Sequence, residues 1–520
     1  MSGPVGDTQA GPNPNRWWTL AAVCVATFML LLDITIVNVA LPKIQEDFHA
    51  NLSDLQWVID AYALSLAALM LTSGSIADLQ GRKHIFMIGL GVFSVASFLC
   101  GLATSALFLN LARALQGVGG AMMFATSLAL LAGAFSGRER GTAFGLWGAT
   151  IGASVAVGAL VGGAITDGLG WEWIFFVNVP IGIAAIAFTR AKVDESRNPY
   201  AGGVDWPGVI VWSAGLFLLV LGLIRGNDQG WGSTKTVFEL GAAVVLIVLF
   251  LVIEARRRDP MLELSLFRKP AFCGVSIVAF TLSAGMFAMF LYLTLYIQRG
   301  LGYTPFQTGL RFLPLTVVSF FAAAIGGQLA HRIAPRVLFL AGMGMVGSGL
   351  LLMRGITADS SWTHLLPGFI VAGIGIGLTN PTIAQVAVGV VEPARSGMAS
   401  GINNTFRQVG IATGIAGLGA IFQARVESKA QSLLQASGTP GPQAHQVAHA
   451  LATQRTQSGG GSVAIAHAAQ LSFISALNDI LLVGGLVALS GALLGMLLVR
   501  SRDFAHGATQ PEREAAPVAA

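Results

Sequence analysis

The chain has 520 residues, of which 54% are hydrophobic and 11% charged, with a formal net charge of +5. Its mean hydropathy is +0.71. Soluble globular proteins carry about 25% charged residues, so this composition excludes a water-soluble fold of such length. It predicts an all-α polytopic membrane protein. The 65 glycines fit that class because small residues let membrane helices pack closely.

The hydropathy pattern predicts about fourteen membrane helices, since a span needs about 20 mostly apolar residues. Their expected limits are 17–40, 55–77, 84–103, 106–133, 142–166, 173–190, 206–224, 236–254, 271–297, 306–330, 336–354, 364–390, 397–422 and 476–499. With both termini in the cytoplasm, most of the 30 Lys and Arg residues lie in inside loops or tails. The charge placement therefore favours an even number of spans.

The polar segments are predicted to lie outside the membrane. Residues 1–15, rich in Gly, Pro and Asn, are expected to form a disordered cytoplasmic tail, and residues 500–520 a second tail. Segment 424–475 is rich in Ala, Gln, Ser and Gly and is predicted to be a flexible, partly helical outer loop. His445 and His449 in it are spaced to share a helix face. A pair without carboxylate or Cys neighbours is a weak metal signal, and we predict no metal site.

The first span, WWTLAAVCVATFMLLLDITIVNVALP at 17–42, carries one carboxylate, Asp33. A charge at that depth costs several kcal/mol, so chains seldom keep one unless it faces a protein interior or a wet cavity. We therefore expect Asp33 to face a central cavity and to help move a solute or a proton. Asn38 on the same helix is a further polar candidate for the cavity.

A short cytoplasmic loop, GSIADLQGRKHIF at 74–86, joins the second and third spans. The candidate gate residues in this loop are Gly74, Asp78, Gly81, Arg82 and Lys83. Asp78 and the following cations can pair across the helix ends and hold one side of the bundle shut. Ordinary loop charge is the alternative. A similar segment, GGQLAHRIAPRVLF at 326–339, follows the tenth span and indicates two pseudo-symmetric halves.

The fourth span, LNLARALQGVGGA at 109–121, places Arg113 and Gln116 one helical turn apart. A buried Arg keeps its charge, so it needs an acceptor or an aqueous cavity. Asp33 is the candidate acceptor, and helix carbonyls are the alternative. Asp60, near the outer end of the second span, is either a second protonatable or cation-binding carboxylate or an interfacial group in water.

Two further spans carry unusual residues. Gly145, Gly158, Gly162 and Gly163 in the fifth span are predicted to allow close helix packing. The thirteenth span begins with SGMASGINNTFRQVG at 396–410. The polar groups there, expected to face protein or cavity, are Asn403, Asn404, Arg407 and Gln408. Arg407 is expected to complement an acidic group, with a purely structural network as the alternative.

These motifs resemble those of the major facilitator superfamily, and within it the fourteen-span drug:proton antiporters of the EmrB/QacA type. The similar segments are LDITIVNVALP, GSIADLQGRK, LNLARALQG and GWEWIFFVNVPIG, together with the group Asn404, Arg407 and Gln408. The resemblance covers nearly the whole chain. It implies two six-helix bundles, two inserted helices, alternating access and export driven by proton influx. It also implies roles in coupling or substrate binding for Asp33, Asp60 and Arg113.

The chain departs from the family pattern at a few positions. Gly158-Ala159 stands where the antiporter motif of the fifth span usually has Gly-Pro, and Ser154 stands at an expected Gly. Leu79 and Glu172 each replace a usual Arg. The missing proline leaves antiport and another transport mode open.

The expected domains follow from the spans and the resemblance. Residues 16–190 form the N-terminal six-helix bundle, 191–269 the two inserted helices with linkers, and 270–499 the C-terminal bundle.

The expected function is export of antibiotics or multiple drugs across a bacterial plasma membrane. The substrate is expected to be small, amphipathic and cationic, and the transporter a monomer that uses the proton motive force and no cofactor or nucleic acid. No nucleophile–base pair, metal-ligand cluster or cofactor fingerprint supports an enzyme. One alternative is an exporter of one endogenous metabolite, siderophore or lipid. Another is a sensor or scaffold without transport, which the absence of a sizeable soluble domain disfavours.

Overall fold

A computed structural model describes residues 14–49, 52–197, 204–257, 260–330, 332–392, 395–452 and 463–500. These residues form helices and connecting turns, with no strand in any of the seven ranges. The predicted outer parts of the tails, 1–13 and 501–520, lie outside the described residues.

The first half of the chain contains nine helices. They are α1 Arg16–Phe48, α2 Leu52–Gln80, α3 Arg82–Gly101, α4 Ala106–Ala134, α5 Gly137–Gly168, α6 Trp173–Phe176, α7 Asn178–Lys192, α8 Trp206–Gln229 and α9 Thr234–Arg256. The short α6 and α7 together make the predicted sixth span. The sequence motif GWEWIFFVNVPIG covers the junction between them.

The second half contains eight helices. They are α10 Pro270–Leu282, α11 Ala288–Leu295, α12 Pro305–Leu329, α13 Pro335–Leu352, α14 Leu366–Gly389, α15 Ser396–Ala436, α16 Gly441–Ala452 and α17 Val463–Leu498. Two π-helical turns, Ser283–Phe287 and Tyr296–Gly300, continue the helix through α10 and α11. A 3-10 turn, Leu264–Arg268, precedes α10.

Thirteen segments of the described chain are long and apolar enough to cross a membrane. They correspond one to one to thirteen of the predicted spans. The remaining predicted span, 142–166, lies within the 32-residue helix α5. The prediction of an all-α polytopic membrane protein is therefore confirmed.

The segment between the last two spans is more helical than the sequence indicated. α15 continues to Ala436, α16 follows, and α17 begins at Val463, so helix covers much of the predicted loop 424–475. Leu434, Ala444 and Ala468 form a small buried cluster between these three helices. Alanine and leucine favour helix, and in this segment their apolar side chains pack against those of the neighbouring helices. Residues 453–462 of this predicted loop lie outside the described residues.

Two groups of helices pack against each other. α1 to α7 contact one another, as do α10 to α15 and α17, while α8 and α9 form a pair that also contacts α2 and α15. The two groups meet mainly along α5 with α12 and along α2 with α15. The predicted domain limits stay predictions.

Candidate polar transport site

The carboxylate of Asp33 is buried between α1, α4 and α7, with 2% of the residue exposed. Arg113 Nη1 donates to Asp33 Oδ2 at 2.5 Å. Gln116 Nε2 donates to Asp33 Oδ1 at 2.9 Å, and Asn178 Nδ2 donates to the same oxygen at 3.2 Å. Three side chains from two other helices thus hold a charge that the apolar first span cannot solvate.

Arg113 is held by contacts other than the carboxylate as well. Its Nε donates to the carbonyl of Val58 on α2 at 3.0 Å, and Nη1 donates to Gln116 Oε1 at 2.7 Å. The guanidinium carbon lies 4.3 Å from the ring centroid of Tyr62 and 5.8 Å from that of Phe175. Such cation–π contacts strengthen when desolvated, so the ring faces help keep the cation inside the bundle.

The local sequence explains part of this arrangement. Residues three apart on a helix lie on one face, which is why α4 presents Arg113 and Gln116 together. Asn178 was missed by the sequence analysis, although it lies in the quoted motif GWEWIFFVNVPIG. It also donates to Ser97 Oγ at 3.0 Å, and Ser97 donates to the carbonyl of Phe175 at 2.9 Å. The sequence signal for Asn178 was a single Asn within an aromatic stretch of a predicted membrane span.

Two of the predicted cavity residues are described only in part. Asp60 is half-buried on α2, two residues after Val58. Asn38 lies in α1, and its side chain is outside the described part of the structure.

The turn between α2 and α3 joins the two groups of helices. Asp78 Oδ1 accepts from Arg82 Nε at 2.8 Å. Its two oxygens also accept the backbone N–H groups of Gly397 at 3.0 Å and Met398 at 2.8 Å. These amides form the first turn of α15, where unpaired N–H groups favour an anion. One carboxylate therefore ties the α2–α3 turn to the second helix group.

The neighbouring turn residues have different partners. Lys83 donates its backbone N–H to Glu195 Oε1 and its Nζ to the carbonyl of Arg190, each at 3.0 Å. It contacts the last turn of α7 and the segment that follows, and no hydrogen bond to Asp78 is among its described contacts. Gly81 has a φ of 117°, a backbone conformation that favours glycine. Gly74 lies so close to Gly397 that a Cβ there would overlap its carbonyl oxygen.

The glycines of α5 contact two different helices. A Cβ on Gly158 would overlap Thr35, and one on Gly162 would lie 3.1 Å from Ile36 Cα, so these glycines pack on α1. A Cβ on Gly145 would lie 2.9 Å from the Ala323 carbonyl oxygen of α12. Gly163 has ample space, with the nearest atom at 4.0 Å. α5 continues as helix through 159, where the family motif has proline.

A second group of polar side chains lies on α15. Arg407 Nη2 donates to Asn380 Oδ1 of α14, and Asn404 Nδ2 donates to the carbonyl of Phe124 of α4 at 3.3 Å. Gln408 is half-buried. Among the described residues the partner of Arg407 is the amide oxygen of Asn380, which fits the structural network that the sequence analysis kept as an alternative to an acidic complement. The sequence analysis did not single out Asn380.

Two remaining features are an apolar cavity and a pair of histidines. A cavity of about 400 Å³ between the α8–α9 pair and α15 is lined by apolar side chains such as Leu71, Trp212 and Phe406. It suits the apolar part of a ligand and offers almost no polar contact. His445 and His449 both lie near Glu427, with Nδ1–Oε1 distances of 3.7 and 3.4 Å.

Comparisons with known proteins agree on one family. Residues 23–415 match the Major Facilitator Superfamily. The chain is 36% identical to the puromycin resistance protein pur8 of Streptomyces alboniger, over 78% of this chain and 82% of that protein. It is 35% identical to the multidrug resistance protein Stp of Mycobacterium tuberculosis, over 86% of this chain and 84% of that protein.

A solved structure shares the fold. The human organic anion transporter MFSD10 (TETRAN) superposes with a TM-score of 0.60, covering 91% of this chain and 100% of that chain. Sequence identity is 14%, so this likeness establishes the fold alone.

Proposed function

Since the chain belongs to the Major Facilitator Superfamily, we propose that it exports antibiotics or other drugs across the membrane. The relatives named for puromycin resistance and multidrug resistance support this function. The observation that carries it is the buried Asp33–Arg113 pair, because an ionisable group inside a membrane span marks a transport or proton pathway. Two helix groups that meet along two seams suit alternating access.

We assign proton coupling to Asp33. In the structure its charge is balanced by Arg113 and by the amides of Gln116 and Asn178. Protonation would remove the negative charge and leave Arg113 buried without a counter-ion, a costly state that favours rearrangement of α1 against α4. A proton moving inward gains about 2.3 kcal/mol per 100 mV, which can drive export of the drug.

The side at which Asp78 contacts α15 is assigned to the cytoplasm. Lys and Arg concentrate in the loops on that side, in accord with the positive-inside rule. The described conformation would then be closed toward the cytoplasm. We assign the protein to a bacterial plasma membrane, with both termini inside and one chain as the transporting unit.

The experiment uses full-length protein in proteoliposomes that contain a pH-sensitive dye. An imposed ethidium gradient should drive proton movement through the wild type. Asp33→Asn should abolish the proton signal, because an amide cannot take up a proton at neutral pH. The matched control is Asp479→Asn, whose carboxylate is 3.2 Å from Arg425 in a partly exposed pair. If Asp33→Asn transports at the wild-type rate and still moves protons, the coupling role is wrong.

A narrower substrate range is a second candidate. The relative from Streptomyces alboniger is named for resistance to one compound, puromycin. Expression in a drug-sensitive bacterial host, with a panel of unrelated antibiotics, separates the two. Broad resistance supports a multidrug exporter, whereas resistance to one compound supports an exporter dedicated to a single metabolite.

A further inference from the structure

The buried polar group on α15 has an excess positive charge. Arg407 is 6% exposed, and the described residues include no carboxylate in ion-pair contact with it. Its Nη2 donates to the neutral amide of Asn380. Arg113, by contrast, is 1% exposed and paired with Asp33. The first helix group therefore neutralises its buried arginine, and the second helix group does not.

Several hydrogen-bonding atoms of this cluster have no partner in the described part of the chain. They are Arg407 Nε, Asn403 Nδ2 and Oδ1, and Asn404 Oδ1. Asn403 is 2% exposed, so both polar atoms of its amide are buried. An unsatisfied buried polar group destabilises the conformation that holds it, and a charged group does so more strongly. Such a cluster is expected to gain its partner in another step of the cycle.

The cluster lies at the seam between the two helix groups. Asn404 donates across it to the Phe124 carbonyl, and a Cβ on Gly148 of α5 would lie 3.6 Å from Asn380 Cβ. Beside it, the rings of Phe124 and Trp147 are 5.9 Å apart. Movement of the two groups during alternating access would open this seam. Aromatic faces and hydrogen-bond donors would then be exposed together.

We propose that Arg407, with Asn403 and Asn404, binds an acidic oxygen of the exported compound. A guanidinium provides five donors and matches carboxylate geometry, and hydrogen bonds between two charged groups are the strong ones. The substrates would include amphipathic carboxylates and phenolates, with the aromatic part of the molecule against Phe124 and Trp147. This inference rests on the proposed export function and extends the expected amphipathic substrates from cations to anions.

The test compares two probes that share one anthraquinone ring system and differ in whether the acid group is ionised or esterified. One is 4,5-dihydroxyanthraquinone-2-carboxylate and the other is its methyl ester. Binding to the full chain in lipid nanodiscs is measured by quenching of tryptophan fluorescence, with empty nanodiscs subtracted. The wild type should bind the carboxylate about tenfold tighter than the ester, as expected for one charge-assisted hydrogen bond.

Two variants assign the preference to the cluster. Arg407→Gln deletes the cation and should therefore abolish the preference for the carboxylate over the ester. Asn403→Asp places an internal counter-ion one turn from Arg407, so it should weaken carboxylate binding about tenfold and leave the ester unchanged. Arg311→Gln is the control, since Arg311 lies on α12 with its guanidinium over the Tyr303 ring. It should keep the wild-type preference.

The outcomes separate this inference from export itself. The inference is wrong if the wild type binds the two probes equally or binds neither. It is also wrong if both Arg407→Gln and Asn403→Asp keep the preference for the carboxylate. If Arg407→Gln does not fold, judged by its elution from a sizing column, the wild type and Asn403→Asp decide. Export stands and this inference fails if ethidium is transported but the carboxylate has no advantage. If the wild type binds the carboxylate more tightly but transports neither ethidium nor the carboxylate, the binding site is supported and the export proposal is wrong.

Discussion

At the residue scale, the two buried arginines differ in what surrounds them. Arg113 has a carboxylate, a carbonyl, an amide oxygen and an aromatic face. Arg407 has one amide oxygen among the described residues. A charge in a low-dielectric interior is stable only when its neighbours replace the lost water. The contacts around Arg113 therefore neutralise its positive charge. Those around Arg407 leave its positive charge available for the anionic group that we propose it binds.

The Asp33–Arg113 pair leads to a stability prediction. Arg113→Gln leaves the Asp33 charge buried without its cation, and breaking such a pair costs about 3–5 kcal/mol. We expect a markedly lower unfolding temperature in detergent. Adding Asp33→Asn removes the orphan charge and should restore much of the lost stability, although not proton coupling. Thermal unfolding of the two single variants and the double variant measures this, and a double variant as unstable as the Arg113 variant would contradict it.

Residue types and spacing predicted some of this site. A carboxylate and an arginine in two separate apolar spans each require a partner for their charge. Pairing with each other satisfies both. Asn178, Tyr62 and Asn380 were not predicted as partners. Neutral polar and aromatic residues occur in spans for packing reasons as well, and no local pattern distinguishes the two uses.

At the element scale, the α2–α3 turn contacts the first turn of α15 through Asp78, and we call this contact the latch. Asp78 is fixed by Arg82 within its own group and by the first-turn amides of α15 in the other group. The close approach of Gly74 to Gly397 gives this contact its geometry. Helix N-terminal amides and a carboxylate attract over a short range, so the contact is strong when closed and is lost once the helices part.

The latch predicts a conformational shift. Asp78→Ala removes both hydrogen bonds to α15, so the seam at this side should open more often. In a variant with the native cysteines replaced by serine, a cysteine at the buried position Ser400 should react about tenfold faster with a permeant maleimide. Asp194→Asn, on the exposed segment after α7, is the matched control. Unchanged reactivity in the Asp78 variant would show that the carboxylate does not hold the seam closed.

At the scale of the whole molecule, α8 and α9 add a pair to two packed groups of helices. The pair rests on α2 and α15, the same helices that form one of the two seams. Partly exposed ion pairs join α8 to α9. Arg257 contacts Asp205 at 2.8 Å, and Arg225 contacts Glu239 at 2.5 Å. These two pairs therefore link α8 and α9 to each other beside that seam.

Charge placement predicts the orientation of the whole chain. A green fluorescent protein fused to the C-terminus should fluoresce in bacterial cells, and alkaline phosphatase at the same position should be inactive, because both report a cytoplasmic end. The two reporters inserted within 453–462 should give the opposite result, since the inside loops carry most of the Lys and Arg. Active phosphatase at the C-terminus would reverse the assigned orientation and with it the direction of the proposed cycle.

The sequence by itself determined the class of protein and the approximate positions of the thirteen candidate spans in the described residues. This was possible because each span must satisfy its own backbone and bury its own apolar length in the bilayer, both of which are local properties. The ends of α15 and α17 were underestimated, because Ala-rich helices continue beyond the apolar stretch when they find a partner to pack on.

The sequence offered Asp33 as a candidate partner of Arg113, but only the tertiary structure decided which polar groups meet. Asp33 and Arg113 are 80 residues apart in the chain, and Asp78 is 319 residues from Gly397. Nothing in the local sequence specifies such distant pairs, since they depend on which helices become neighbours and on how each is rotated. The same reason explains why Arg113 is neutralised by a carboxylate and Arg407 is not, a difference that separates the proposed proton site from the proposed substrate site.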